Sequence, residues 1–239
     1  MRHSDQSKGV GIKLILVEKR PETEDVMSFV FRSDAPLKWQ AGQFLHYSLP
    51  HPGADDRGIT RYFTIASAPF EGHVMLTTRF ATERSSSFKR ALRQLPVGAA
   101  VGVGEPDGDF VVGDPGDEHV LIAGGIGVTP FRAILLDLDH RELPINATLL
   151  YANRSPDFVY KAEIDRLTGR HRRLVVRYLV SPERVTQSSI RGVAADLAKP
   201  IFHVSGPEPF VEALGTMLTG LGVPDAHVKG DFFPGYDWP

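Results

Sequence analysis

The sequence predicts a two-part α/β chain: a small antiparallel β-barrel, then an open parallel sheet wound on both faces by helices. Three observations predict it. Before the turn-rich joint GDPGDE (Gly113 to Glu118), short apolar runs alternate with Gly and Pro, and helical periods are scarce. After that joint, apolar runs of the buried parallel-strand kind alternate with helical patterns, the grammar of a βαβ series with right-handed crossovers. The length, 239 residues, fits one large domain or two of ordinary size, and either can bury a core.

In the first part, strands are expected at Ile12–Lys19, Val26–Arg32, Phe44–Leu49, Tyr62–Ala66, Val74–Arg79 and Val101–Val103, a six-stranded set. One helix interrupts them. In SSSFKRALRQLP, Phe88, Leu92 and Leu95 recur at i, i+4 and i+7 behind a serine cluster able to cap the helix. In the second part, strands are expected at Val120–Ala123, Thr148–Tyr151, Leu174–Val180 and Ile201–Val204, with a closing strand near Ala226–Gly230. Helical patterns lie between them: Phe131, Leu135 and Leu138; Tyr160, Ile164 and Leu167; Ile190, Ala194 and Leu197; and Phe210, Leu214, Met217 and Leu221. This divides the chain into a mobile tail (1–8), a barrel domain (9–114) and an α/β domain with an aromatic C-terminal tail (115–239).

Composition excludes several functions. A net charge of −2 leaves no global basic field, so neither nucleic acid nor an anionic membrane is an expected partner. The absence of cysteine removes disulfides, thiolate metal sites, cysteine nucleophiles and iron–sulfur ligation. The start, MRHSDQSKGV, has no apolar core, and no run is long enough to span a bilayer, so a cytoplasmic protein without membrane insertion is expected. The nine histidines show no metal-ligand spacing.

Chemistry gathers at four places. HVLIAGGIGVTPF puts Gly124, Gly125 and Gly127 straight after an apolar strand, with Thr129 and Pro130 at the start of a helix. Such a turn lets a phosphate approach backbone N–H groups at a helix N-terminus, or it is a tight β–α turn and nothing more. The second strand of this part ends LLYANRS, where a ribose-binding fold would carry an acid. Asn153, Arg154 and Ser155 stand there instead, a set suited to a 2′-phosphate and hence to NADPH over NADH, or a solvated arginine beside a helix start. FHVSGPEPF places Ser205, Gly206 and Pro207 at the carboxyl edge of the sheet, where ligands bind in such folds. Glu208 reads equally as a reacting-centre acid or as a first-turn carboxylate complementing the helix dipole.

The fourth place is RYFTIASAP. A strand that only fills a core needs no cation, yet Arg61 leads this one, followed by Tyr62, Phe63 and Thr64. If Arg61 lies beside the helix that begins at Ser85, Ser86 and Ser87, the two present donors to one anion, a phosphate or pyrophosphate. An aromatic face and a short hydroxyl alongside are what a planar redox ring with a phosphorylated tail requires.

RYFT resembles the Arg-x-Tyr-Ser/Thr flavin motif of the ferredoxin–NADP reductase family, GGIGVTP that family's nicotinamide-nucleotide loop, and SGPEPF its later Cys/Ser-Gly-Pro turn. AGQF (Ala41 to Phe44), the helix start SSF (Ser86 to Phe88) and EPDGDF (Glu105 to Phe110) fall in the family's order, so the resemblance spans nearly the whole chain. It implies a flavin-binding barrel and a nucleotide-binding α/β domain, with FAD or FMN as cofactor and NADPH or NADH as hydride donor. By position, Arg61 would hold a flavin phosphate with Ser85, Ser86, Ser87 and the amides leading into Phe88. Tyr62 belongs to the same stretch, Phe63 would lie along the isoalloxazine or ribityl chain, and Thr64 would hydrogen-bond near the hydride-accepting nitrogen. Gly124, Gly125, Gly127 and Thr129 would bind the nucleotide pyrophosphate, and Ser205, with Gly206 and Pro207, would border the nicotinamide. Two departures stand out: Phe63 replaces the usual tyrosine, and Ser205 stands where many members have cysteine.

The resemblance further implies hydride transfer from NAD(P)H to bound flavin and release of electrons to an acceptor. Lacking cysteine, the chain carries no ligands for a fused iron–sulfur domain, which implies a separate acceptor, ferredoxin or flavodoxin. Two rival readings remain: a flavin or ferric reductase using diffusible flavin, and a non-catalytic flavin-binding electron-transfer subunit. The tail KGDFFPGYDWP offers Tyr236 and Trp238 either as a cover for the exposed flavin face or as an aromatic anchor for the last strand.

Overall fold

The structure is a computed structural model and describes residues 11–80, 85–194 and 196–233. The expected tail at 1–8 and the aromatics Tyr236 and Trp238 lie outside the described residues. The first part is a six-stranded sheet, every neighbouring pair antiparallel, built from β1 (Ile12–Pro21), β2 (Val26–Ser33), β3 (Phe44–Ser48), β4 (Thr60–Thr64), β5 (Val74–Arg79) and β6 (Ala100–Val103) in the order β4-β3-β6-β1-β2-β5. Period-two alternation drives it: Leu14 and Leu16 of β1, Phe29 and Phe31 of β2 and Leu45 and Tyr47 of β3 all point into one buried cluster. The two edge strands meet just beyond β4, where Ala66 N–H donates to the Met75 carbonyl (2.7 Å) and Met75 N–H to Ser67 Oγ (3.0 Å). These bonds close the sheet into a barrel. Helix α1 (Ser87–Gln94), capped by Ser86, whose hydroxyl accepts from Lys89 N–H, buries Phe88, Leu92 and the following Leu95 in the barrel core.

The second part is a five-stranded parallel sheet of β7 (His119–Gly124), β8 (Ala147–Asn153), β9 (Leu174–Val180), β10 (Ile201–Pro207) and β11 (Val228–Phe233), ordered β11-β10-β7-β8-β9. Alternate residues of β7 feed opposite faces. Leu121 and Ala123 join the cluster under α2 (Thr129–His140) and α3 (Lys161–Arg170), whereas Val120 and Ile122 join the one under α4 (Gln187–Arg191) and α5 (Glu208–Gly220). The sheet is thus doubly wound. No helix among the described residues is long and apolar enough to cross a membrane.

Three elements differ from expectation. The strand expected at Tyr62–Ala66 is β4 at Thr60–Thr64, two residues earlier. The helix expected through Ile190, Ala194 and Leu197 stops at Arg191: of its apolar positions Ile190 is fully buried, and Gly192, a poor helix residue, ends the turn. The closing strand starts at Val228, later than expected, because Pro224 and a single 3₁₀ turn over Asp225–His227 occupy the segment before it. That shift carries Asp231 into register with Ser205.

The two parts share one buried seam. Val26, Ala68 and Phe110 of the first part belong to the same cluster as Phe131 and Leu135 of α2. Through the seam runs Arg132 of α2, 5% exposed. Its guanidinium donates to Glu71 (2.8 and 3.0 Å) and to the Ala66 carbonyl (2.9 Å) on the barrel side, and to Glu163 of α3 (2.7 and 3.0 Å) on its own side. Burial pushes the Glu71 carboxyl up, but the hydrogen bonds and charge of Arg132 outweigh it and the net shift is downward.

Candidate functional site

Strand β4 separates its residues by face. Arg61 and Phe63 turn toward α1; Tyr62 and Thr64 turn the other way. Phe63 packs partly into the barrel core, its ring 5.8 Å from those of Tyr47 and Phe88, and Phe88 itself is 0% exposed. Phe88 therefore fills the core rather than offering its side chain to a cofactor, because its helical spacing with Leu92 directs it inward. The aromatic that β4 leaves open is Tyr62, 37% exposed, in ring contact with Phe44 (5.7 Å) and His46 (5.9 Å).

Arg61 and the start of α1 do present donors to one anion, as expected, and the anion is internal. The Asp55 carboxylate accepts from Arg61 Nη2 (2.6 Å) and from Ser87 N–H (3.0 Å), while Asp55 N–H donates back to Ser87 Oγ (2.9 Å). Partial burial pushes this carboxyl up, but Ser87 and Arg61 outweigh it and hold it down at about 2.

In the second part, β7 ends in the glycine turn, a 3₁₀ segment over Gly125–Val128 leading into α2. Gly125 has φ +55, the left-handed region. Gly127 lies so close to β10 that a Cβ would sit 2.1 Å from the Ser205 carbonyl oxygen, and Gly124 packs against the Phe210 ring. Thr129 is buried, its hydroxyl donating to the Ile126 carbonyl (3.1 Å), so that hydroxyl holds the turn together instead of facing a ligand. Asn153 is also turned inward: its amide donates to the carbonyls of Ser155 and Asp157 (both 3.1 Å), whereas Arg154 is exposed and Ser155 half-buried. Arg79 of β5 reaches the turn from the barrel, bonded to Asp25 (2.9 Å) and to Asn153 (3.4 Å), with Nη2 4.0 Å from where a Cβ on Gly125 would lie.

Thr64 and Ser205, from opposite parts of the chain and both buried, lie near one carboxylate. Ser205 Oγ donates to Asp231 Oδ2 (3.2 Å), and Thr64 is close enough to favour the ionised form of the same carboxyl. Burial is the dominant influence and lifts the Asp231 carboxyl to about 6, against Ser205 and Thr64. Asp231 and Glu208 together raise the Tyr62 hydroxyl after burial, which places both acids near that ring.

Because the folded Asp231 carboxyl titrates above the ordinary aspartate value, its contribution to stability is complete below that ordinary value and is lost as pH rises through about 6. We expect Asp231→Asn to flatten the decline in melting temperature between about pH 4 and pH 7. An unchanged slope would show that Asp231 does not titrate in this window.

Residues 121–214 match the oxidoreductase NAD-binding domain family. The ferredoxin reductase component of 3-ketosteroid-9-alpha-monooxygenase from Mycolicibacterium smegmatis is 27% identical over 234 residues, 93% of this chain and 65% of that protein. The flavohem-like FAD/NAD binding domain of nitric oxide dioxygenase from Vibrio cholerae superposes with a TM-score of 0.80 at 22% identity, covering 94% of this chain and 99% of that one. In sequence the chain is similar to reductase components, and its fold is that of the FAD/NAD binding domain. A further relative, the stachydrine N-demethylase reductase subunit of Rhizobium meliloti, is 28% identical over 221 residues, 86% of this chain and 62% of that protein. The chain thus spans less than two thirds of the length of these curated relatives.

The glycine turn and Ser205 fall inside the segment matched by the NAD-binding domain family, whereas Arg61, Thr64 and Asp231 lie outside it. The sequence did not single out Asp55, Arg79, Arg132 or Asp231. The one signal for Asp231 was its place in the last strand, opposite Ser205, once that strand is set in register.

Proposed function

We propose that this chain is a flavin-dependent oxidoreductase that takes hydride from NAD(P)H and delivers electrons to a separate protein acceptor, a ferredoxin or flavodoxin, in the cytoplasm. The observation that carries the reading is the bond of Ser205 to Asp231 with Thr64 close by, where the barrel strand after Arg61 comes near the carboxyl edge of the parallel sheet. The residues present fit a flavin ring: an open aromatic cluster of Tyr62, Phe44 and His46 lies on the same face as Thr64. When bound, a flavin supplies a two-electron hydride acceptor that can release electrons singly.

The chain's own residues align and protonate. Gly125 and the start of α2 offer N–H groups to a nucleotide pyrophosphate, and Arg79 adds a cation from the barrel. Arg154, exposed at the end of β8, favours NADPH over NADH. Thr64 and Ser205 border the place where the two rings meet, and closeness there recovers much of the barrier. Asp231 Oδ2, protonated below about pH 6, is the atom that gives or takes a proton at that point. FAD is the cofactor we favour, since the similar Vibrio domain is named for FAD and NAD binding.

The test is the visible spectrum of the chain loaded with FAD under anaerobic conditions. We expect a flavin band that bleaches on adding NADPH, more slowly with NADH, and recovers with an oxidised ferredoxin. A chain that holds flavin yet bleaches with neither nucleotide would refute the proposal.

A further inference from the structure

Arg61 is spent inside the protein. Its Nη1 donates to the carbonyls of Arg57 (2.7 Å), Gly58 (3.0 Å) and Thr60 (2.7 Å), and its Nη2 to Asp55 Oδ1 (2.6 Å); Nε alone lacks a partner. The second Asp55 oxygen takes the first-turn amide of α1 at Ser87, so one carboxylate satisfies both halves of the cradle. Its own loop braces it there, with Arg57 N–H on Oδ1 (3.1 Å) and Asp55 N–H on Ser87 Oγ (2.9 Å). A phosphate reaching for the same donors meets a like charge in a partly buried place. To gain them it must break the Arg61 ion pair and the reciprocal bonds with Ser87.

We propose that Asp55 is a built-in occupant of the flavin-phosphate seat, so that this chain, under the function proposed above, holds flavin by its ring and ribityl chain and gains nothing from the phosphate. Protonation gives no way out near neutral pH, since Asp55 is held at about 2. The specificity this implies is toward the flavin nucleus in general, riboflavin included, with Asp55 as the residue that sets it.

The experiment is fluorescence titration of riboflavin, FMN and FAD into the full chain freed of flavin, for wild type and Asp55→Asn. The asparagine keeps the size and part of the hydrogen bonding and removes the charge. In wild type, FMN should bind within about threefold of riboflavin; in Asp55→Asn, FMN should bind at least about tenfold more tightly than in wild type, with riboflavin unchanged within about twofold. A smaller gain or a loss for FMN, or a wild type that already prefers FMN by about tenfold or more, overturns the inference while leaving flavin binding intact. Failure of both proteins to bind any flavin overturns the inference and the proposed function together. If the variant does not fold, hydrogen exchange of wild type decides. FMN should leave the Arg57 and Gly58 amides as slow as riboflavin leaves them, and acceleration by FMN alone shows that the phosphate evicts Asp55 and overturns the inference.

Discussion

Arg132→Met is expected to lower the unfolding free energy by about 3 kcal/mol, because it leaves two half-buried carboxylates without their shared, buried cation. The methionine keeps much of the volume, so the loss is electrostatic: Glu71 and Glu163 lose bidentate partners, and the Ala66 carbonyl loses its donor. Arg132→Lys keeps the charge but cannot fork onto both acids, and should fall between wild type and methionine. Urea denaturation with constant slope checks both variants. A change below about 1 kcal/mol in Arg132→Met would mean the cluster is no stronger than a surface pair. The consequence reaches the site, since Arg132 ties the helix behind the glycine turn to Ala66, two residues past Thr64.

Gly127→Ala should cost about 3 kcal/mol and weaken nucleotide binding, since its new methyl would sit 2.1 Å from the Ser205 carbonyl oxygen and 2.7 Å from Gly206 N. Both obstacles are backbone, so no side-chain rotation relieves them. Gly125→Ala is the contrast. There the space is open, the nearest atom being 3.8 Å away, and the penalty is the left-handed φ of +55, about 1 kcal/mol. Thermal unfolding combined with NADPH titration separates the two: the closest glycine must hurt both readouts more. Equal effects would show that the turn yields as a unit and that proximity to Ser205 is not what requires glycine.

The contrast shows what the sequence could say. The glycine turn was legible as a β–α connection because Gly and Pro punctuate strongly, but not that Gly127 is demanded by β10, since that neighbour is remote in sequence. Barrel strands were legible from alternation, as at Leu14 and Leu16, and the paired faces of β7 from its unbroken apolar run. The α4 pattern misled because apolar spacing continues past Gly192, where backbone propensity does not. For the site, shared anion binding by Arg61 and α1 could be read from charge and capping. The identity of the anion could not, because Asp55 and Ser87 stand 32 positions apart in the sequence. Asp231 stayed hidden because an acid in a polar-looking tail resembles any surface residue until burial lifts its carboxyl.

Among the described residues, strand β11 is laddered along one flank, from Phe202–Val228 to Pro207–Phe233, with Lys229 adding a bond from its ammonium to the Val111 carbonyl (2.9 Å). The proton-holding acid thus rides on the rim of its sheet, where slippage meets the least resistance. A one-residue slip would swing Asp231 to the opposite surface and leave Ser205 facing a neighbour with no carboxylate. Under the function proposed above, damage at the far beginning of that ladder is felt where Asp231 meets Ser205.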